Sequence, residues 1–214
     1  MHKPAVNRLL AAESLVLARG LAGQAGDHGL YLGMSNRVAK DLPRMACWTR
    51  LRLVDGVLHG DVKASVAEPL PFADESFRVV VLSHVLEWTP HAADLLDEAL
   101  RVLRPEGVLA VTGFEPFSAW MPWLLCRRSP RPMLIPRAWL RQRLAPHCVQ
   151  MLHGQRCGAA WPMRRGGMAP AWLGGGFVLV ARKRRAAVMR LKPRACRQSV
   201  GRREWVPGTH RECA

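Results

Sequence analysis

The chain has 214 residues, 49% of them hydrophobic, and its 32 Lys and Arg against 16 Asp and Glu give a net charge of +16. That length fits one domain, and the hydrophobic content excludes a wholly disordered chain. The charge is uneven: residues 1–115 carry 12 basic and 14 acidic side chains, residues 116–214 carry 20 and 2, and no acidic side chain lies between Glu115 and Glu204. Any metal site or acid–base pair built on carboxylates must therefore draw on the first half.

Val6, Leu9, Leu10, Leu15 and Leu17 recur at helical spacing, which predicts a first helix over residues 5–20, closed by Gly20, Gly23 and Gly26. Glu13 and Arg19 interrupt its apolar stretch and no firm small-x-small cleavage site follows, so Met1–Gly23 reads as an amphipathic helix rather than a signal peptide. His28–Met34 is a short apolar run, a candidate strand. Ser35-Asn36 opens a candidate helix through Ala46, weakened by Pro43. Trp48–Val54 alternates apolar and basic residues as a half-buried strand does, Asp55-Gly56 marks a turn, and Val62–Val66 suits another short strand.

The clearest unit follows. Phe77–Leu82 is a β-branched run too short for a helix, the pattern of a buried parallel strand. Pro90–Leu103 gathers Leu95, Leu96, Ala99, Leu100 and Leu103 on one helical face, with acids toward its front and Arg101 and Arg104 at its back, as the helix dipole favours. Pro105-Glu106-Gly107 stops that helix, and Val108–Thr112 is a second buried strand, completing a β-α-β crossover. Beyond Gly113 the pattern is irregular. A loop with a short helix carries Trp120 and Trp123, Pro136–Leu144 reads as a helix, His147–Leu152 as a strand, and Gly176–Arg182 as a firm terminal strand.

From Lys183 periodicity fails and basic residues dominate, so Lys183–Ala214 reads as a mostly disordered tail. The organisation expected is an N-terminal helix over 1–27, an α/β domain over 28–182 and a basic tail over 183–214. The six cysteines (Cys47, Cys126, Cys148, Cys157, Cys196 and Cys213) form no C-x-x-C pair, which speaks against zinc ribbons and redox motifs. His147, Cys148, His153 and Cys157 match no zinc spacing. No window reaches the ~18 apolar residues of a membrane span. The expectation is a cytoplasmic protein with reduced, mostly structural thiols.

The stretch Ala67–Thr112 resembles class I S-adenosylmethionine-dependent methyltransferases of the small-molecule "type 11" kind. Three parts carry the resemblance: Leu-Pro-Phe (70–72) followed by Ser76-Phe77, then Val-Leu-Glu-Trp (85–88), then Leu-Arg-Pro-Glu-Gly (103–107). It covers about 46 residues, with weaker agreement in element order over about 28–182. It implies a Rossmann-like, seven-stranded, mostly parallel sheet with a reversed last strand, helices on both faces, S-adenosylmethionine as cofactor, and an acceptor pocket formed by residues 116–175.

Residue by residue, the family's glycine-rich loop falls on Leu30–Asn36, where only Gly33 remains, and Tyr31 stands where the acid answering the cofactor's amino end would be. Asp55 is the candidate acceptor for the ribose hydroxyls, or an ordinary Asp-Gly turn residue. Val66 stands where an acid meets the adenine. Ala67 offers a backbone N–H there, and Glu68 either compensates or faces solvent. Ser83 and His84 follow the next strand, at the carboxyl ends where ligands of open α/β sheets bind. His84 is the candidate general base, or a polar capping histidine. Trp120 and Trp123 line an acceptor pocket or pack the core.

Three functions remain open on these residues. The first is methyl transfer to an unidentified, small acceptor. The second is a degenerate relative acting as a binding or scaffold module, favoured by the eroded loop. The third is nonspecific nucleic-acid contact through the tail, supported by charge alone.

Overall fold

The computed structural model describes residues 3–34, 42–126, 132–159, 161–162 and 174–185. An N-terminal helix α1 (Lys3–Gly20) leads into eight strands, β1 (Gly26–Gly33), β2 (Met45–Val54), β3 (Val57–Gly60), β4 (Ala64–Ser65), β5 (Phe77–Ser83), β6 (Leu103–Phe114), β7 (Val149–Cys157) and β8 (Gly176–Lys183). Among the described residues three further α-helices intervene: α2 (Ala92–Val102), α3 (Trp120–Leu125) and α4 (Arg137–Leu144). The strands form one sheet in the order β4-β3-β2-β1-β5-β6-β8-β7.

The centre is parallel, with β1 paired to both β2 and β5, and β5 to β6. Both flanks are antiparallel. The reversed strand is β8, beside β6. The sheet thus has eight strands where seven, mostly parallel, are implied by the resemblance. The extra reversal arises at Asp55-Gly56, whose φ angles of 49° and 79° make a two-residue hairpin turn between β2 and β3. A parallel crossover needs a dozen residues or more, so two residues can only return the chain antiparallel.

Other boundaries also move. Met45 and Ala46 belong to β2 rather than to a helix and residues 42–44 are not helical; the rest of that expected helix, 35–41, lies outside the described residues. The chain is extended from Leu103, before Pro105-Glu106-Gly107, and the β5–β6 register shifts between Phe77 and Val79 to absorb the irregularity. The tail from residue 186 lies outside the described residues. Among the described residues, no helix is long and apolar enough to cross a membrane.

The sheet separates two cores. On one face α2 and α4 pack Leu95, Leu96, Leu100, Leu140 and Leu144 against Leu30, Leu32, Val80 and Leu82. On the other, α1 lays Val16 and Leu17, and the turn after it Leu21, over Tyr31, Val79, Val81, Val178 and Val180. Val79 to Leu82 are fully buried, each such side chain stabilising the fold by ~1.5–3 kcal/mol. Helix α1 approaches β8 closely at Gly20, where a Cβ would stand 2.8 Å from Val180 Cγ2. Its buried stripe runs Ala5, Leu9, Glu13, Leu17, one residue in four, and continues to Leu21 just beyond it, so a carboxylate sits inside an apolar face.

Candidate functional site

The parallel strands bring Gly33, Ser83 and Thr112 to one edge: Gly33 pairs with Ser83, and Ser83 with Thr112. This is the carboxyl edge, the ligand-binding side of open α/β sheets. Gly33 is covered by its own chain. A Cβ there would lie 2.7 Å from the Tyr31 ring, which is buried on the same face. The Tyr31 hydroxyl is hydrogen-bonded with Ser83, and burial pushes its pKa up. Thr112 Oγ1 lies 3.4 Å from Ser83 Oγ, extending the hydroxyl chain across three strands. The Met34 N–H donates to the Ser83 carbonyl.

His84 stands one residue beyond Ser83. It is 5% exposed, with φ at 52°, a left-handed conformation that a non-glycine residue adopts at a cost of ~1–2 kcal/mol. Its N–H donates to the Thr112 carbonyl, and its ring packs on Phe114 at 4.5 Å. Its Nε2 lies 2.7 Å from Glu13 of α1, and its Nδ1 3.1 Å from Glu87. Burial alone pushes the imidazolium pKa down, but the two carboxylates outweigh it and hold the pKa up at about 10. The ring is therefore a cation at neutral pH, donating to a carboxylate from each nitrogen.

Both acids are buried as deeply as the histidine. Glu87 also accepts the Phe114 N–H, which ties the end of β6 into the cluster. Burial raises the Glu13 carboxyl above its ordinary value, His84 pulls it back, and Glu87 pushes it further up. Among the described residues Glu13 Oε1 has no hydrogen-bond partner. It occupies the space that a side chain at Gly176 would fill. Helix α1 is thus pinned to the carboxyl edge by a buried charged cluster, a role for Glu13 that the sequence reading missed. The available signal was its place in the four-residue buried stripe.

The other expected residues fall elsewhere on the edge. Asp55 is exposed at the tip of the β2–β3 hairpin, three residues past Arg52, the partner of Gly33. Ala67 and Glu68 are exposed just after β4, at the far edge of the sheet. Two strands separate β4 from β1, about 14 Å at ~4.8 Å per step. They line a separate recess of 310 Å³ with Asp94, Leu95, Asp97 and Glu98 of α2. The edge therefore brings together Gly33, Ser83 and His84, with Asp55 beyond β2, and does not gather Ala67 and Glu68 with them.

Trp120 is 1% exposed and donates to the Ala159 carbonyl, stacking on Phe114 and meeting Trp123 edge-on as core. On the β6–β8–β7 side, Glu115 is 4% exposed and paired with Arg137 and Arg156. Among the described residues no group of three His, Cys, Asp or Glu could hold a metal.

The fit to S-adenosylmethionine can be read from these atoms. Asp55 presents an exposed carboxylate just beyond β2, and Ser83 a half-buried hydroxyl. The amino-acid end differs from the usual pattern, because a Tyr31 hydroxyl replaces the carboxylate and its ring fills the position that Gly33 leaves open.

Residues 36–111 match the family model described as "Methyltransferase domain". The chain is 48% identical over 54 residues to YafS, an uncharacterized protein of Escherichia coli. It is 44% identical over 57 residues to phthiotriol/phenolphthiotriol dimycocerosates methyltransferase 1 of Mycobacterium ulcerans. These stretches span 24% and 27% of this chain, and only 22% and 21% of those proteins. The fold is similar to that of a SAM-dependent methyltransferase from Aquifex aeolicus, with a TM-score of 0.55 at 12% identity, over 83% of this chain and 93% of that one. Residues 36–111 thus carry the methyltransferase-domain match, and the chain has the class I methyltransferase fold.

Proposed function

We propose that the protein is an S-adenosylmethionine-dependent methyltransferase acting on a small acceptor. The observation that carries this reading is the coincidence of the methyltransferase-domain match, residues 36–111, with the parallel strands β2, β5 and most of β6, which together with β1 form the edge of Gly33 and Ser83. Asp55 would hold the ribose hydroxyls, with Ser83 and the Tyr31 hydroxyl beside the amino-acid end; Ala67 and Glu68 are the more distant candidates for the adenine. The bound cofactor supplies an activated methyl group on its sulfonium, so the protein's task is orientation and exclusion of water.

In this reading His84 is a positioning residue. Held as a cation between Glu13 and Glu87, it has no free lone pair with which to take an acceptor's proton. It fixes the turn after Ser83 and ties α1 to the edge.

The test is calorimetric titration of the full chain with S-adenosylhomocysteine. Saturable binding is expected, about tenfold weaker in Asp55→Ala, which loses a charge-assisted pair of hydrogen bonds. Truncation at residue 186 should leave the affinity unchanged; the cut spares Lys183, whose Nζ caps the Leu100 and Leu103 carbonyls. No saturable heat at ~1 mM ligand would overturn the reading and leave a binding or scaffold module.

A further inference from the structure

A recess of about 630 Å³ lies at the opposite end of the sheet from Gly33 and Ser83, and it gathers Glu75, His147, Cys148, Lys183, Arg184 and Arg185 with two prolines. Lys183 ends β8, and its Nζ reaches the carbonyl of Leu103, the partner of Phe77 at the start of β5. Ser83 closes β5 six residues later, about 20 Å away at ~3.3 Å per residue. None of the residues offered to the cofactor lines this recess.

The sequence sets three cations in succession, Lys183-Arg184-Arg185. In a regular strand neighbouring side chains point to opposite faces, so such a run is divided between the two sides of a sheet. Here the β8 ladder stops at Lys183, which pairs with Val149, and all three cations line one cavity.

Their heads are held in place by different means. Lys183 Nζ donates to the Leu100 and Leu103 carbonyls at the end of α2, 2.8 Å each, which fixes the ammonium and uses two of its three N–H bonds. Arg184 is splinted: Nε donates to Gln150 and Nη1 to Glu106, 2.8 Å each, and its backbone N–H donates to the Cys148 carbonyl. Its Nη2 edge is left over from these bonds. Arg185 donates its backbone N–H to Glu106, and among the described residues its guanidinium has no partner. Glu106 thus organises two of the cations from outside the cavity, while Glu75 is the one carboxylate among the described lining residues.

One guanidinium is enough to match a carboxylate. A phosphate monoester carries up to two negative charges on three acceptor oxygens, which suits an ammonium point charge together with guanidinium N–H groups. The volume lies within the ~300–1,000 Å³ of small-molecule sites, so the organic body of such a ligand fits beside its phosphate.

We propose that this recess binds the phosphate group of a phosphorylated small molecule, with Lys183 and Arg184 as fixed donors and Arg185 as the third. It is a second site, remote from the methyl-donor edge, and it does not depend on the methyltransferase reading.

The probe is phenyl phosphate, titrated at constant ionic strength into the full chain without cofactor and followed by calorimetry, with benzoate as the matched carboxylate. Saturable binding of phenyl phosphate with a Kd at or below ~1 mM is expected, tighter than that of benzoate. Arg185→Met should weaken it about tenfold. Glu75→Gln, which removes the lining carboxylate, should strengthen it several-fold. Arg50→Met, an exposed position on β2 four strand steps from β8, should leave it unchanged. Truncation at residue 186 should also leave it unchanged, because the recess is complete without the tail. Cys148 supplies a local readout: it is an exposed free thiol in the lining, so phenyl phosphate should slow its alkylation by iodoacetamide, read by peptide mass spectrometry, and leave that of exposed Cys47 unaltered.

No saturable binding of phenyl phosphate overturns the proposal, as does benzoate binding equally well, an equal loss in Arg50→Met, or weaker binding in Glu75→Gln. Protection of Cys148 by a ten-nucleotide single-stranded DNA but not by phenyl phosphate, lost on truncation at residue 186, also overturns it and assigns the cations to nucleic acid.

Discussion

Two ion clusters sit at one edge of the sheet, and they are mirror images in charge. Around His84 two carboxylates enclose one cation, all three within 2–5% exposure. Around Glu115 two cations flank one carboxylate, and the cations reach solvent. The first joins α1 to the ends of β5 and β6 and is closed to solvent on every side chain. The second keeps its carboxylate buried and its two arginines partly exposed. Burial, rather than the presence of a titratable residue, separates the two clusters.

The comparison breaks most visibly at Glu87. Glu87→Ala leaves a buried imidazolium with one partner and the Phe114 N–H with none, and should lower the unfolding free energy by ~3–5 kcal/mol in urea titration. A loss under about 1 kcal/mol would mean that the cluster is hydrated.

A pH series sharpens the contrast. His84 has a folded pKa raised to about 10 from 6.5, so the folded state holds a proton that the unfolded state releases. Its contribution is fully present below pH 6.5 and is lost as pH rises through about 10. Glu13, also raised, acts in the same direction from its ordinary value of 4.5 upward. Unfolding free energy measured across this range should fall with pH, and His84→Gln should remove the part of that fall between pH 6.5 and about 10. An unchanged slope in the variant would place the titration elsewhere.

The smallest effect belongs to the Glu115 cluster. Arg137→Met should change stability by less than ~1 kcal/mol, because Arg156 still pairs with Glu115 and the lost group is partly solvated. Thermal or urea unfolding checks this, and a loss as large as that of Glu87→Ala would assign Arg137 a structural role.

Much of the core was legible in sequence. The run Phe77–Leu82, the apolar face of residues 95–103 and the run Val108–Thr112 each follow the period of their element, and local pattern is enough when burial is uniform. The hairpin after β2 was half-legible: Asp55-Gly56 announced a turn, but the parallel topology implied by the resemblance hid its consequence. Glu13 was read as an interruption of an apolar stretch, although it falls four residues from both Leu9 and Leu17. Its partner is 71 residues away, and no local periodicity encodes a contact of that range. For the same reason His84 looked like a base. Its position after β5 was visible, but the carboxylates on both sides of its ring were not. Tyr31 was recognised as a departure, while its packing over Gly33 depends on the face they share.

The central claim is that this edge binds the methyl donor while His84 remains a fixed cation. Titration of the full chain with S-adenosylhomocysteine from about pH 6 to about pH 8 tests both parts together. The account predicts saturable one-to-one binding with the same Kd throughout, because His84 does not titrate in that range. Absence of saturable binding, or a Kd that changes about tenfold around pH 6.5, would contradict it.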